Sequence, residues 1–232
     1  MKKLVVLSGS GISAESGIKT FRDMGGLWEE YDVMEVASPQ AWQENPELVL
    51  RFYNERRKKL LESSPNKGHF GLVELEKYFD VTIITQNVDD LHERAGSNNV
   101  IHLHGEIRKA RSTADEKLIY NIEGWELKIG DKCEKGSQLR PHVVWFSEPV
   151  NAILDAAHIC EKADIFVVVG SSLNVYPAAG LLDYVPNTTT VFLIDPNHVN
   201  ASYYSQITYI QEKATTGITK LVEILKEKYI ND

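Results

Sequence analysis

Cysteine is scarce: Cys133 and Cys160 are the only two in 232 residues. Two thiols cannot build a four-thiolate zinc site, and they suggest no disulfide framework. Their simplest reading is a pair of reduced thiols without a chemical role. Long apolar runs are missing too. None approaches the roughly 20 residues that span a bilayer, so no membrane partner is expected. Met1-Lys2-Lys3 followed by an apolar run over 4–7 imitates the start of a signal peptide. That run stops at Ser8-Gly9, and no small-residue cleavage site follows. The expectation is a first buried strand in a cytoplasmic protein. Basic charge is in deficit, with 25 Lys and Arg against 33 Asp and Glu, a net −8. Nucleic acid held through the whole surface is therefore not indicated. Low-complexity tracts and internal repeats are absent as well.

The hydrophobic share of 43% suffices for one full core and a small appended module. Apolar runs at 4–7, 81–85, 100–103, 165–169 and 191–194 are mostly rich in Val and Ile and read as buried parallel strands. Helical patterns lie between them. Asn45-Pro46 is a helix start, Asn45 as N-cap and Pro46 in the first turn, with the pattern running to about Leu61. Further helices fit 69–78, 151–162 and a last one from about Thr216. Strands alternating with helices predict a Rossmann-like open parallel α/β sheet with helices on both faces. Residues 109–138 break the pattern, being polar and glycine-punctuated. The expected organisation is a Rossmann-like domain over 1–27, 62–108 and 146–232. Residues 28–61 and 109–145 would form a smaller inserted domain.

Gly9-Ser10-Gly11-Ile12-Ser13-Ala14 directly follows the first strand. It fits G-x-G-x-x-G/A, where glycines let the backbone turn sharply and approach a pyrophosphate. A plain strand-to-helix turn fits the same hexapeptide. The acid that usually ends the second strand of a dinucleotide fold is not evident, which argues against an ordinary dehydrogenase. Three strand ends are unusually polar: Gln86-Asn87-Val88-Asp89, His102-Leu103-His104-Gly105-Glu106 and Gly170-Ser171-Ser172. Ligands of such sheets bind outside the carboxyl ends of strands. Asn and Asp can read a carboxamide and ribose hydroxyls, and a histidine there can accept a hydroxyl proton near neutral pH. His104, beside Gly105, is the candidate base; His102 reads first as a satisfied structural residue.

Together these pieces resemble the sirtuin family, over nearly the whole chain. The family's G-A-G-I-S-x-x-S-G-I-P-x-F-R runs here from Gly9 to Arg22, with Ser10 for the usual Ala. T-Q-N-x-D-x-L-H runs from Thr85 to His92, H-G is His104-Gly105, and the substrate strand runs from Arg140 to Glu148, with Ser147 for a usual Gly. Gly170-Ser171-Ser172-Leu173-Asn174-Val175-Tyr176-Pro177-Ala178 matches the nucleotide motif.

The resemblance implies an NAD-dependent lysine deacylase acting on acyl-lysine-bearing proteins or peptides. NAD would be its co-substrate, with nicotinamide and O-acyl-ADP-ribose as products. It implies His104 as base with Asn87 and Asp89 as catalytic partners. It also implies cofactor contacts at Gly9, Ser10, Gly11, Ile12, Ser13, Glu15, Phe21, Arg22, Trp28, Gln86, Val88, Gly170, Ser171, Ser172, Asp195 and Ala214. Asp195 stands where the family usually has Asn. Substrate would meet Val143, Val144, Trp145, Phe146, Glu148 and Val175. A bacterial class of the family carries a Tyr-x-x-Arg pair, matched by Tyr53 and Arg56. That match implies succinyl- or malonyl-lysine beside acetyl-lysine, Arg56 holding a carboxylate in a two-pronged pair; an ordinary basic helix is the bland alternative. Most relatives hold zinc with four cysteines. Ser112 and Asp115 fall at the first pair and only Cys133 near the second, so no zinc is expected. The module would rest on Leu118, Ile119, Ile122, Trp125, Leu127 and Ile129. A rival on the same fold is an NAD-cleaving enzyme or ADP-ribosyl transferase.

Overall fold

The computed structural model describes residues 1–20, 32–199 and 207–230. Phe21, Arg22 and Trp28 lie outside the described residues.

Strand β1 (Lys3–Ser8) is buried from Leu4 onward. Helices cover both of its faces, which is why its sequence is continuously apolar rather than alternating. It pairs in parallel with β2 (Asp80–Thr85) on one side and β7 (Ile165–Val169) on the other. Beyond β2 lies β3 (Val100–His102). Beyond β7 lie β8 (Thr190–Ile194) and β9 (Ile207–Ile210), giving the order β3-β2-β1-β7-β8-β9. The fold is thus a Rossmann-like parallel α/β sheet. Strand β9 has no counterpart in the apolar runs of the sequence. It is a four-residue edge strand whose Thr208 and Tyr209 are exposed, so little burial marks it.

The helices follow their local signals. In α4 (Pro46–Glu62) Asn45 accepts the Leu48 N–H at 3.1 Å and Pro46 opens the first turn, as its sequence predicts. Helices α5 (Lys67–Leu75) and α8 (Ala214–Tyr229) cover one face, packing Leu72, Leu75, Ile218, Leu221 and Leu225 on Leu4, Val6 and Val167. Helix α7 (Ile153–Cys160) and a 3-10 turn over Ala178–Tyr184 cover the other through Ala156, Ala157, Cys160, Leu181 and Leu182. Cys160 is fully buried there and burial pushes its thiol up to about 12, which suits a packing role.

A second, antiparallel sheet has the order β5-β4-β6, from β4 (Gly105–Ser112), β5 (Ile119–Asn121) and β6 (Leu139–Val143). Val36, Val49, Phe52, Tyr53 and Leu60 from the segment around α4 share a core with Ile107, Val143 and Trp145 of this sheet region. The apolar set expected to support the module is smaller than its sequence suggests. Ile122 and Leu127 are buried with Leu50 and Ala110, whereas Ile119, Trp125 and Ile129 are exposed. Backbone-directed hydrogen bonds take their place. The Asn54 side chain donates to Leu127 O at 2.9 Å and accepts from Leu127 N at 3.0 Å. Fully buried Arg57 donates to Ile107 O at 2.6 Å and Trp125 O at 2.8 Å. Among the described residues no helix is long and apolar enough to cross a membrane.

Candidate active site

The chain runs β1, β2, β3 to one side of the sheet and β7, β8, β9 to the other. The crevice between β1 and β7 is therefore the switch point where ligands of such sheets sit. Ser8 pairs with Thr85 and Val169, so the carboxyl ends of β1, β2 and β7 are level. A cavity of about 860 Å³ opens above them. Two backbones cross at its floor. A Cβ placed on Gly11 would lie 2.6 Å from the Gly170 Cα, and Gly170 has φ +61°. Only glycines permit this approach, which leaves the loops after β1 and β7 open to the cavity.

Nearly every residue expected at a cofactor lines this cavity where it is described. Gly9, Ser10, Gly11, Ser13, Glu15, Gln86, Asn87, Val88, Asp89, Gly170, Ser171, Ser172, Asp195 and Ala214 all do. Ile12 does not: its side chain is fully buried in the core against the sheet. Its motif position is thus met by packing. Glu15 lines the cavity but spends both carboxylate oxygens on Thr215, accepting from its N–H at 3.0 Å and its hydroxyl at 2.9 Å. It caps the first turn of α8, which has no cap from its own N-cap residue. Asp195 is 4% exposed and accepts the Asn197 N–H at 2.9 Å.

The polar ends of β2 and β3 interlock. Asn87 donates from Nδ2 to Gly9 O at 3.2 Å and to Ser13 Oγ at 3.3 Å. Ser13 Oγ donates to Asp89 Oδ2 at 2.9 Å, and the Leu91 N–H donates to Oδ1 at 3.1 Å. Burial pushes the Asp89 carboxyl above its ordinary value, opposed by these two bonds. His104 reaches the same cavity. Its Nδ1 lies 2.9 Å from the carbonyl of Gln86. A carbonyl only accepts, so Nδ1 carries the hydrogen and Nε2 keeps a lone pair. Burial holds the His104 pKa below its ordinary value, opposed by the Gln86 bond. The ring is then neutral at pH 7 and ready to accept a proton.

Tyr53 and Arg56, from one face of α4, also line the cavity. Tyr53 is buried, and its phenolic oxygen accepts from Trp145 Nε1 at 3.1 Å. Burial raises the phenol to about 12, so the hydroxyl keeps its hydrogen. Burial also lowers the Arg56 guanidinium, opposed by Tyr53 and Asp89. The expected substrate strand lines the same cavity through Val143, Val144, Trp145, Phe146 and Glu148, with Trp145 packed against Tyr53, and Val175 joins it. Glu148 is occupied within the protein. Arg140 donates to its two oxygens at 2.7 and 3.0 Å, Arg111 donates to both at 3.2 Å, and the Trp145 N–H adds a bond at 2.8 Å. The Arg140 guanidinium also stacks 3.2 Å from the centroid of the Trp145 ring. This buttress was not visible in the sequence, since it joins residues whose spacing follows no helical or strand period. Ala37, Ile107 and Val150 line the cavity too and carry no motif that would have singled them out. Ser147 adopts φ +68°, the left-handed region that explains why glycine is usual there.

At the positions of the expected metal cysteines, Cys133 Sγ donates to Ser112 Oγ at 3.3 Å, and Lys135 pairs with Asp115 at 2.7 Å. Among the described residues no group of three or more His, Cys, Asp or Glu is placed to hold a metal ion.

The sequence profile described as the Sir2 family matches residues 9–177. An NAD-dependent protein deacylase of Bacteroides thetaiotaomicron is 54% identical over 230 residues, covering 97% of this chain and 98% of that protein. A Helicobacter pylori protein of the same name is 50% identical over 227 residues, covering 98% and 97%. A solved Sir2 homolog–NAD complex superposes with a TM-score of 0.88 at 42% identity, over 97% of this chain and 90% of that one. A Sir2 protein with a deacetylated p53 peptide and 3′-O-acetyl-ADP-ribose gives 0.81 at 28% identity, over 97% and 93%.

Proposed function

This chain belongs to the Sir2 family and is an NAD-dependent protein deacylase, and we propose that it removes succinyl and malonyl as well as acetyl groups from protein lysines, giving nicotinamide and O-acyl-ADP-ribose. The residues present fit NAD, because the glycine crossing of Gly11 and Gly170 leaves backbone open to a pyrophosphate beside Asn87, Asp89 and Asp195. When bound, NAD supplies a ribose carbon from which nicotinamide departs. Asn87 and Asp89 hold the carboxamide and ribose end. His104 accepts a ribose hydroxyl proton at Nε2. The segment 143–148 lines the cavity where a substrate peptide would add as a strand, meeting the backbone groups not already used within the protein, so the acyl-lysine matters more than its flanking side chains.

The observation that carries the base assignment is the 2.9 Å bond from His104 Nδ1 to Gln86 O, which fixes the tautomer a base needs. The acyl preference rests on Tyr53 and Arg56. Trp145 can only donate, so Tyr53 accepts at that bond and keeps its own hydrogen for a ligand oxygen. Arg56 on the same wall supplies the charge that a terminal carboxylate would need. We place this chemistry in the cytoplasm, in keeping with two free, buried cysteines.

The test is to mix the protein with NAD and acetyl-, succinyl- and malonyl-lysine peptides and follow products by mass. Loss of the acyl group with acyl-ADP-ribose formed is expected. Free ADP-ribose without deacylated peptide would instead mark an NAD-cleaving enzyme. Loss of acetyl alone would remove the carboxylate reading.

A further inference from the structure

His102 stands two residues before His104 and points at different partners. It is the last residue of β3, paired in register with Thr85 at the end of β2. Its Nδ1 lies 3.1 Å from the carbonyl oxygen of Asn87, and its Nε2 lies 2.7 Å from Glu93 Oε1. Glu93 sits on the short helix α6 (Leu91–Ala95) that follows the Asn87–Asp89 loop. A carbonyl only accepts, and so does an ionised carboxylate. Both ring nitrogens of His102 must therefore carry hydrogens, and the ring is an imidazolium. His104, with a single acceptor on Nδ1, is neutral. Burial works against the charge on His102, but the Glu93 bond and charge, the Asn87 bond and the Glu106 carboxylate together outweigh it, so its pKa lies above the ordinary histidine value. The positive ring also favours the buried carboxylate of Asp89.

The bond to Asn87 O completes a set around that residue. Its N–H donates to Thr85 Oγ1 at 3.0 Å, and its side chain is held by Gly9 O and Ser13 Oγ. Thr85 Oγ1 is fixed in turn by Ser8 Oγ at 2.9 Å. Of the two groups described on the Asn87 main chain, Thr85 Oγ1 and the His102 ring, His102 carries charge, and through Glu93 it links the Asn87 carbonyl to the helix behind it. Its side chain is 10% exposed, whereas that of Glu93 is 41% exposed, so the pair is anchored from the surface inward.

We propose that His102, held between Glu93 and the Asn87 carbonyl, is a positioning residue that locks the loop carrying Asn87 and Asp89 in its NAD-binding form. It touches neither substrate nor cofactor and acts through the loop. The proposal rests on the reading of Asn87 and Asp89 as NAD-holding residues.

Three variants of the full chain test it, with calorimetric NAD binding and steady-state deacetylation as readouts. His102→Leu removes both donors. Its KM for NAD is expected to rise about tenfold, by more than kcat falls, as loosened binding geometry would give. His102→Asn places an amide N–H where Nδ1 stood, and should bring KM back to within about threefold of the parent. Glu93→Ala removes the outer anchor at a half-exposed position. It should raise KM in the same direction as His102→Leu, and it carries the test should His102→Leu fail to fold. An unchanged KM for NAD in both Glu93→Ala and folded His102→Leu overturns the proposal. So does a fall in kcat alone, or an Asn variant no better than Leu. Failure of the parent protein to bind NAD would instead sink the underlying reading of the pocket.

Discussion

Protonation at the site is decided one side chain at a time by the count of acceptors each ring meets. His104 meets one, Gln86 O, and burial keeps it neutral. Its depressed pKa fixes the sign of a pH effect. The neutral base is present above that pKa and is lost as pH falls through it. The acid limb of kcat/KM for deacetylation should therefore have its midpoint below 6.5, the unperturbed value; a pH–rate profile with the midpoint above 6.5 contradicts the assignment. Arg56 makes a separate claim. Arg56→Met should lower kcat/KM for desuccinylation at least about tenfold more than for deacetylation, because the loss falls on a charge-assisted pair that acetyl never makes. Side-by-side kinetics on the two peptides check this, and an equal fall in both would leave Arg56 a structural role only.

At the scale of elements, what matters is how a strand and its successor deliver these side chains. Gly105 opens β4 directly after His104 and has φ +80°. A Cβ there would sit 2.2 Å from the carbonyl of His142, against which β4 pairs with β6. Gly105→Ala therefore combines left-handed strain with a backbone clash. It should cost more than about 2 kcal/mol of stability and displace His104 with it. Thermal unfolding and deacetylation measured together should both fall; an Ala variant with parental activity would show that the β4–β6 edge yields without moving His104. The motif around Gly105 was legible in the sequence. The reason for it was not, because the clashing oxygen belongs to a residue 37 positions away in the chain. Helix α4 shows the opposite case. Its start at Asn45-Pro46 is a local signal, and the structure repeats it without tertiary help.

At the scale of the whole molecule, the antiparallel sheet must be tied to the rest without a large core of its own. Asn54 and Arg57 supply the tie through Leu127, Ile107 and Trp125. Asn54→Ala would leave the Leu127 N–H and C=O unpaired in a buried place and take a partner from Arg57. The expected cost is about 2–4 kcal/mol, read from denaturant unfolding; a change under about 0.5 kcal/mol would mean the sheet is held elsewhere. A chelator should leave the unfolding temperature unchanged, and metal analysis of the purified protein should find no stoichiometric zinc.

The sequence by itself determined the parallel α/β sheet, the order of the motifs and the chemical types at the strand ends. Those depend on local apolar patterning and on glycine, which act within a few residues. The tertiary structure alone decided which of those residues meet. It sent Ile12 into the core, gave Glu15 to the first turn of α8 and closed Glu148 between Arg140 and Arg111. It also gave His102 and His104 different numbers of acceptors. Each of these outcomes depends on backbone carbonyls, N–H groups and charges brought near by distant strands, and no spacing along the chain records them.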